Sequence, residues 1–497
     1  MEKREKIIFF TVIFFIILIS TNYVSAHSGS HPGCFENGCP SGHATFLPYP
    51  YNCPWTDSEC ATAVGLSNIS SCDVRYQDLL NFGGTLAGSI EVCNHNRIID
   101  CNQNQIISYS TGGYTAISSI EYNNILIQNC EIKNFNQGIV VSGSFITIKK
   151  NNIVNNMGMT GEGIFFLDSS ANVIIEQNNI SNNRHGIIRI AGVVIENLTI
   201  KENVISYNLG TGINIDANAT IKFNNITNNK WGILATRFNN ITNNNISFNY
   251  FGGVNLFGAF NYFADNTLEG NFYGIKANGD NNSIIGNNII KSNESGIFFD
   301  VYTKSNKVIN NNITWNNKDG IIFKGSSSNT VLGNKMSYNN NSGVYIFAPI
   351  FALNFFPTVG GNNSIIYNNI SHNNDSGIIV HGTLSNNISL NTISNNLKKG
   401  ILISPMSDIG YFNIIIAENI SLFLNNISNN GLGIFLNYTN HTNVIGNKIS
   451  NNNQDGIYLE NSPNNLIINN SIKENKLTGI KLQSSKNNNI LNNNITS

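Results

Sequence analysis

Charge is scarce in this chain: Asp, Glu, Lys and Arg make up 11% of 497 residues, and the formal net charge is −1. Ordinary globular proteins carry about 25% charged residues. No basic stripe exists, which argues against a nucleic-acid partner. Cysteine is absent after Cys130, so nothing downstream can be cross-linked by disulfides. Histidines are few and scattered there (His185, His372, His381 and His441), and the pattern holds no metal-ligand spacing. Long apolar runs are also missing. Beyond the run from Ile7 to Ile19, segments such as Phe412 to Ala417 are too short to span a bilayer.

What the chain has instead is repetition. A unit such as 306–324, with Ile and Asn at fixed offsets followed by Asp-Gly-Ile-Ile-Phe-Lys, recurs with a marker glycine at 138, 163, 186, 212, 232, 253, 274, 296, 320, 343, 377, 400, 433, 456 and 479. Apolar residues alternate with polar ones, as in Gly-Ile-Phe-Phe-Asp at 296–300. A period of two, built from Ile, Val, Leu and Phe, specifies strands. Three short strands with polar corners fit each unit, and coils that turn alike stack into a solenoid. Asn suits such corners because it tolerates left-handed backbone, and in register its side chains stack as a ladder. Asn311, Asn334 and Asn369 are the candidates for that ladder.

From about residue 90 to 497 this pattern resembles the right-handed parallel β-helix repeat proteins, in particular the copper-maturation (NosD-like) and carbohydrate-binding/sugar-hydrolase group of pectate-lyase-like fold. The opening stretch Asn94 to Ile107 is similar to the start of secreted members, departing from it at Gln103 and Asn104. The resemblance implies an all-β, right-handed, single-stranded parallel β-helix of about 15 or more coils. Functions within such folds vary widely.

Residues 1–26 read as a secretory signal: Lys3, Arg4 and Lys6, the apolar run, then Val24-Ser25-Ala26 as cleavage site. The mature chain is therefore expected outside the cytoplasm, secreted or at the cell surface, with no membrane span. Residues 27–85 form a Cys-rich N-terminal cap, and 86–497 the β-helix. All eight cysteines, Cys34, Cys39, Cys53, Cys60, Cys72, Cys93, Cys101 and Cys130, are expected in disulfides. Cys101 and Cys130 occupy similar places in successive Ile-rich segments, making an inter-coil bridge plausible. His27, His31 and His43 beside the first cysteines could hold copper, against the plainer reading of a glycine-rich tail closed by disulfides. Sequons at Asn225, Asn369 and Asn426 permit glycosylation but follow automatically from an Asn-Ile-Ser/Thr repeat.

On the strand after each marker glycine, positions one and three are expected inward and positions two and four outward. Glycoside hydrolysis needs two carboxyl groups roughly 5 to 9.5 Å apart, whereas the outward Asp216 and Asp300 lie four coils, about 19 Å, apart. A calcium-dependent lyase needs clustered carboxylates; the nearest approximation is Asp300 between Lys276 and Lys324, which reads better as a surface charge ladder. Arg189 falls on the inward row and signals a local slip.

Two intervals stand out: Gly343 to Gly377 is 34 residues and Gly400 to Gly433 is 33. The insertions carry Phe351, Phe355 and Phe356, and Tyr411 and Phe412, and flank the strand presenting His381 outward; Tyr345, outward on the strand after Gly343, is a further candidate. Insertions in solenoids mark binding faces, and aromatics suit sugar rings. The leading reading is a secreted or surface β-helix protein with a structural or carbohydrate-binding role, no cofactor, and a polysaccharide or envelope glycan as partner. Self-association through an uncapped last coil is a further expectation. A polysaccharide lyase or glycosidase of the same fold, and a periplasmic copper-handling protein, are the alternatives.

Overall fold

The computed structural model describes residues 74–77, 85–87, 89–92, 94–108, 115–158, 160–349, 360–407 and 414–496. All of them belong to the unit Tyr51–Ser497; Met1–Pro50 lies outside the described residues, as do the expected signal, His27, His31, His43 and the six cysteines from Cys34 to Cys93. The described residues form an all-β parallel solenoid of about 17 turns, with no helix among them.

The unit at 306–324 shows how a coil is made. Its strands are Lys307–Ile309, Asn312–Thr314 and Ile321–Lys324. Each pairs in parallel with its equivalent one coil on, Thr330–Leu332, Lys335–Ser337 and Val344–Phe347. Register sets Val308 on Val331, Ile313 on Met336 and Phe323 on Ile346. All six are fully buried, so every coil seals the coil before it and the core is a continuous apolar column. The expected alternation after the marker glycine holds, with Ile297 and Phe299 buried and Phe298 and Asp300 half-exposed.

Corners use two adjacent residues for two different tasks. Asn310 takes the left-handed conformation at φ 53°, which Asn tolerates better than other side chains do. Asn311 beside it is buried and joins the ladder: its Nδ2 donates to the carbonyls of Ile284 (2.9 Å) and Ile309 (3.1 Å) and to Asn334 Oδ1 (3.0 Å). The same ladder continues through Asn334 to Asn368 and Asn391. Asn368, not Asn369, is therefore the ladder member, and Asn369 is exposed. Sequence periodicity could not separate the two, because both halves of an Asn-Asn pair recur.

The marker glycines are needed for close approach. A Cβ on Gly320 would sit 2.6 Å from the carbonyl oxygen of Gly343 and 3.0 Å from Asn339 Nδ2. Neither neighbour can retreat without breaking its own coil. Gly320→Ala is expected to lower stability by about 2 kcal/mol, in the range for overpacking, as read by urea denaturation; an unchanged midpoint would contradict this.

Cys101 and Cys130 form a disulfide between successive coils, with Cα atoms 4.8 Å apart. Before them, Val74–Gln77 runs antiparallel to Ser89–Val92, while Thr85–Ala87 already pairs in parallel with Gln105–Ile107. Solenoid pairing thus begins by residue 85.

Candidate functional site

The strand after each marker glycine builds the outer face on which site residues were sought. Asp300 sits where expected, between Lys276 (3.4 Å) and Lys324 (3.8 Å), and accepts from Asn278 Nδ2 at 3.3 Å. The backbone N–H of Val301 also donates to it at 2.9 Å, and among the described residues no group of three His, Cys, Asp or Glu could hold a metal ion. Arg189 leaves the inward row: parallel pairing to the next coil stops at Ile188, and the guanidinium turns out to Asp216 at 2.9 Å. A long cation cannot enter an apolar column, so the strand gives way there.

Tyr345 and His381 come together. Val344–Phe347 pairs with Ile378–His381, with Phe347 opposite His381. Tyr345 Oη and His381 Nδ1 lie 3.2 Å apart in hydrogen-bond contact, with the rings edge-on at 5.3 Å. Phe347 stacks on Tyr345 at 4.7 Å. Burial pushes the His381 imidazole down to about 4; Lys399 acts in the same direction and Asp375 against it. Burial, reinforced by Asp319, pushes the Tyr345 phenol up to about 12. Both groups are therefore neutral at neutral pH.

Of the two insertions, residues 350–359 and 408–413 are not among those described, so Phe351, Phe355, Phe356, Tyr411 and Phe412 have no assigned place. The foot of the second insertion is visible. Met406–Ser407 pairs antiparallel with Ile414–Ile415. This foot closes on Gly382, the residue after His381: a Cβ there would lie 2.7 Å from Met406 Cβ and 2.9 Å from the carbonyl oxygen of Ile415. The foot of the second insertion thus lies against the residue that follows His381.

Two features escaped the sequence reading. Trp315, Tyr338 and His372 stack across three consecutive coils, with centroids 4.4 and 4.9 Å apart. All three occupy left-handed corner seats, at φ 62°, 59° and 57°. Asn holds the same seat elsewhere, as at Asn155 and Asn429. Bulky residues there cost about 1 kcal/mol each, and a stacked pair returns a similar amount. The sequence signal was the aromatic standing where Asn is the rule. The second feature is a cleft of about 650 Å³ several coils earlier, lined by residues such as Arg184, His185 and Trp231.

A sequence profile described as the right handed beta helix region matches residues 92–240, 231–349 and 412–497. The chain belongs to the right-handed β-helix family. No curated protein matches it. Among solved structures, the periplasmic alginate epimerase AlgG is similar at 12% identity, with 82% of this chain and 86% of that chain covered and a TM-score of 0.36. The A-module of the Azotobacter vinelandii mannuronan C-5 epimerase AlgE6 is also 12% identical, over 78% and 91%, with a TM-score of 0.30. The catalytic unit of a GH87 α-1,3-glucanase from Streptomyces thermodiastaticus is 12% identical over 78% and 64%, with a TM-score of 0.35. Likeness of this degree does not tell what this right-handed β-helix protein binds or converts.

Proposed function

We propose that this right-handed β-helix protein is exported and binds a carbohydrate chain on its outer face at Tyr345 and His381. The observation that carries the reading is the contact between these two side chains, one residue from the foot of the second insertion. A neutral phenol and a neutral imidazole offer a donor and an acceptor each, which suits sugar hydroxyls. The Tyr345 and Phe347 rings supply apolar surface alongside. Such groups fit an uncharged polar ligand better than an ion.

A polysaccharide lyase or glycosidase is the second reading, favoured by the same hydroxyl–imidazole contact. The imidazole's basicity weighs against it. A general base works best with a pKa near the operating pH, and the His381 imidazole is held at about 4. Of the nearby acids, Asp375 is paired with Lys398 at 2.6 Å and Asp319 is buried against Ser342.

Isothermal titration with a glycan identified by screening tests the proposal. Tyr345→Phe removes one hydroxyl that hydrogen-bonds at the contact and should weaken binding about tenfold, with urea midpoints unchanged. Equal affinity in Tyr345→Phe and His381→Gln would remove the site from consideration. Release of new reducing ends or unsaturated products from the bound polymer would instead establish the enzyme.

A further inference from the structure

The cleft near His185 is lined by residues just before the marker glycine on four successive coils: Arg184-His185, Gly210-Thr211, Lys230-Trp231 and Phe251. The next coil holds an aromatic pair, Phe272-Tyr273, whereas coils such as those of Asn341-Ser342 and Asp375-Ser376 hold small polar ones. Parallel register sets the members side by side, with Thr211 opposite Trp231 and Trp231 opposite Gly252. The four coils span about 15 Å along the rod at the strand spacing. The depression is therefore elongated, like a chain ligand.

Room for the large side chains comes from missing ones. A Cβ on Gly210 would fall 2.3 Å from His185 Cε1, and one on Gly252 would fall 2.2 Å from the Trp231 ring. Trp231 meets Phe251 edge-on at 5.3 Å, and the Lys230 ammonium lies over Phe251 at 5.7 Å. The backbone N–H of Thr211 donates to His185 Nδ1 at 3.1 Å, so that nitrogen carries no proton and the neutral ring keeps its N–H on Nε2. Burial first, then Arg184 and Lys230, hold this imidazole below its ordinary range; both cations thus act on one point. Behind it, Glu162 sits opposite His185 on the preceding coil, 4% exposed, with one carboxylate oxygen lacking a hydrogen-bond partner. Burial raises its pKa, while hydrogen bonds from Thr160 and Gln137 and the charge of Arg184 pull it back.

We infer that this cleft binds an acidic saccharide, its carboxylate or sulfate held between Arg184 and Lys230 with His185 as a neutral donor, and one sugar face laid on Trp231. Cations alone would take any anion; the aromatic wall and the length of the depression select an acid group carried on a sugar chain. The site stands apart from Tyr345 and His381, on other coils, so either assignment can fail alone.

Titration of the full chain with an oligogalacturonate, a sulfated oligosaccharide and a neutral malto-oligosaccharide tests it. At least one acidic probe should bind, with Kd weakened about tenfold or more in Lys230→Gln and again in Trp231→Ala, and unchanged in Tyr345→Phe. The arm that binds tells carboxylate from sulfate. Lys230 is exposed, so its variant keeps the test open should Trp231→Ala fold poorly. Binding that survives Trp231→Ala in a folded protein would reveal simple charge attraction and overturn the site. So would equal binding of the neutral probe, loss in Tyr345→Phe, or no binding of either acidic probe.

Discussion

Asn311→Ala is expected to cost about 4 kcal/mol of stability, the largest effect of any single substitution considered. Its side chain donates to Ile284, Ile309 and Asn334, and accepts at Oδ1 from the backbone N–H (2.8 Å) and Nδ2 (2.9 Å) of Asn287. Each bond contributes roughly 1 kcal/mol net, and removing one partner leaves buried groups unpaired at about 1–3 kcal/mol each. Alanine returns almost nothing, because Asn311 lies between coils where water has no access. Its two neighbours give the contrast. Asn310→Ala loses only the tolerance for left-handed backbone, about 1 kcal/mol. Asn312 keeps one side-chain bond outside the core, to Asn288 at 2.7 Å, so Asn312→Ala should cost under about 1 kcal/mol. Urea denaturation of the three variants should rank them in that order, and similar losses in all three would show that the ladder is not what ties coil to coil.

Acid should weaken the protein through His381. In the unfolded chain its imidazole takes a proton near 6.5; in the folded protein it resists until about 4. Between those values the unfolded state binds more protons, so stability is intact above about pH 6.5 and is lost as pH falls towards 4, by about 3 kcal/mol in all. The buried His185 acts in the same sense, whereas the raised carboxyls of Glu162 and Asp319 act in the opposite one. The informative quantity is therefore the difference between wild type and His381→Gln, followed from about pH 7 to pH 4. Wild type should lose stability relative to the variant over that range. Parallel curves would mean that the imidazole titrates freely in the fold.

Most of the fold was legible because its determinants are local and repeated. Alternating Ile set the inward rows, and the marker glycine set the register, since a side chain there would strike the next coil. Cys101 and Cys130 were legible for the same reason, as equivalent places in successive segments. The assignment of Asn369 to the ladder failed because a repeat fixes spacing but not which half of an Asn-Asn pair turns inward; the left-handed seat at Tyr367 (φ 58°) makes Asn368 the stacking residue. Arg189 showed itself as a misfit in the row but not where its charge would go, since Asp216 belongs to another coil.

The functional candidates divide along the same line. Tyr345 and His381 were legible because insertion length is a one-dimensional signal, and register then brought them within 3.2 Å. The cleft at His185 and Lys230 was not, because it is made of residues on four coils that are unremarkable singly and become a site only when stacked. In a solenoid this regular, a site is a column of exceptions, and columns must be read across coils.

The most direct test of the account is a glycan array probed with the full-length protein beside a folded Tyr345→Ala/His381→Ala variant, with the bound polysaccharide also assayed for degradation. The account predicts that wild type captures a defined set of neutral glycans, that the variant loses them, and that no cleavage products appear. Capture of the same neutral glycans by both proteins, or of none by wild type, would contradict it.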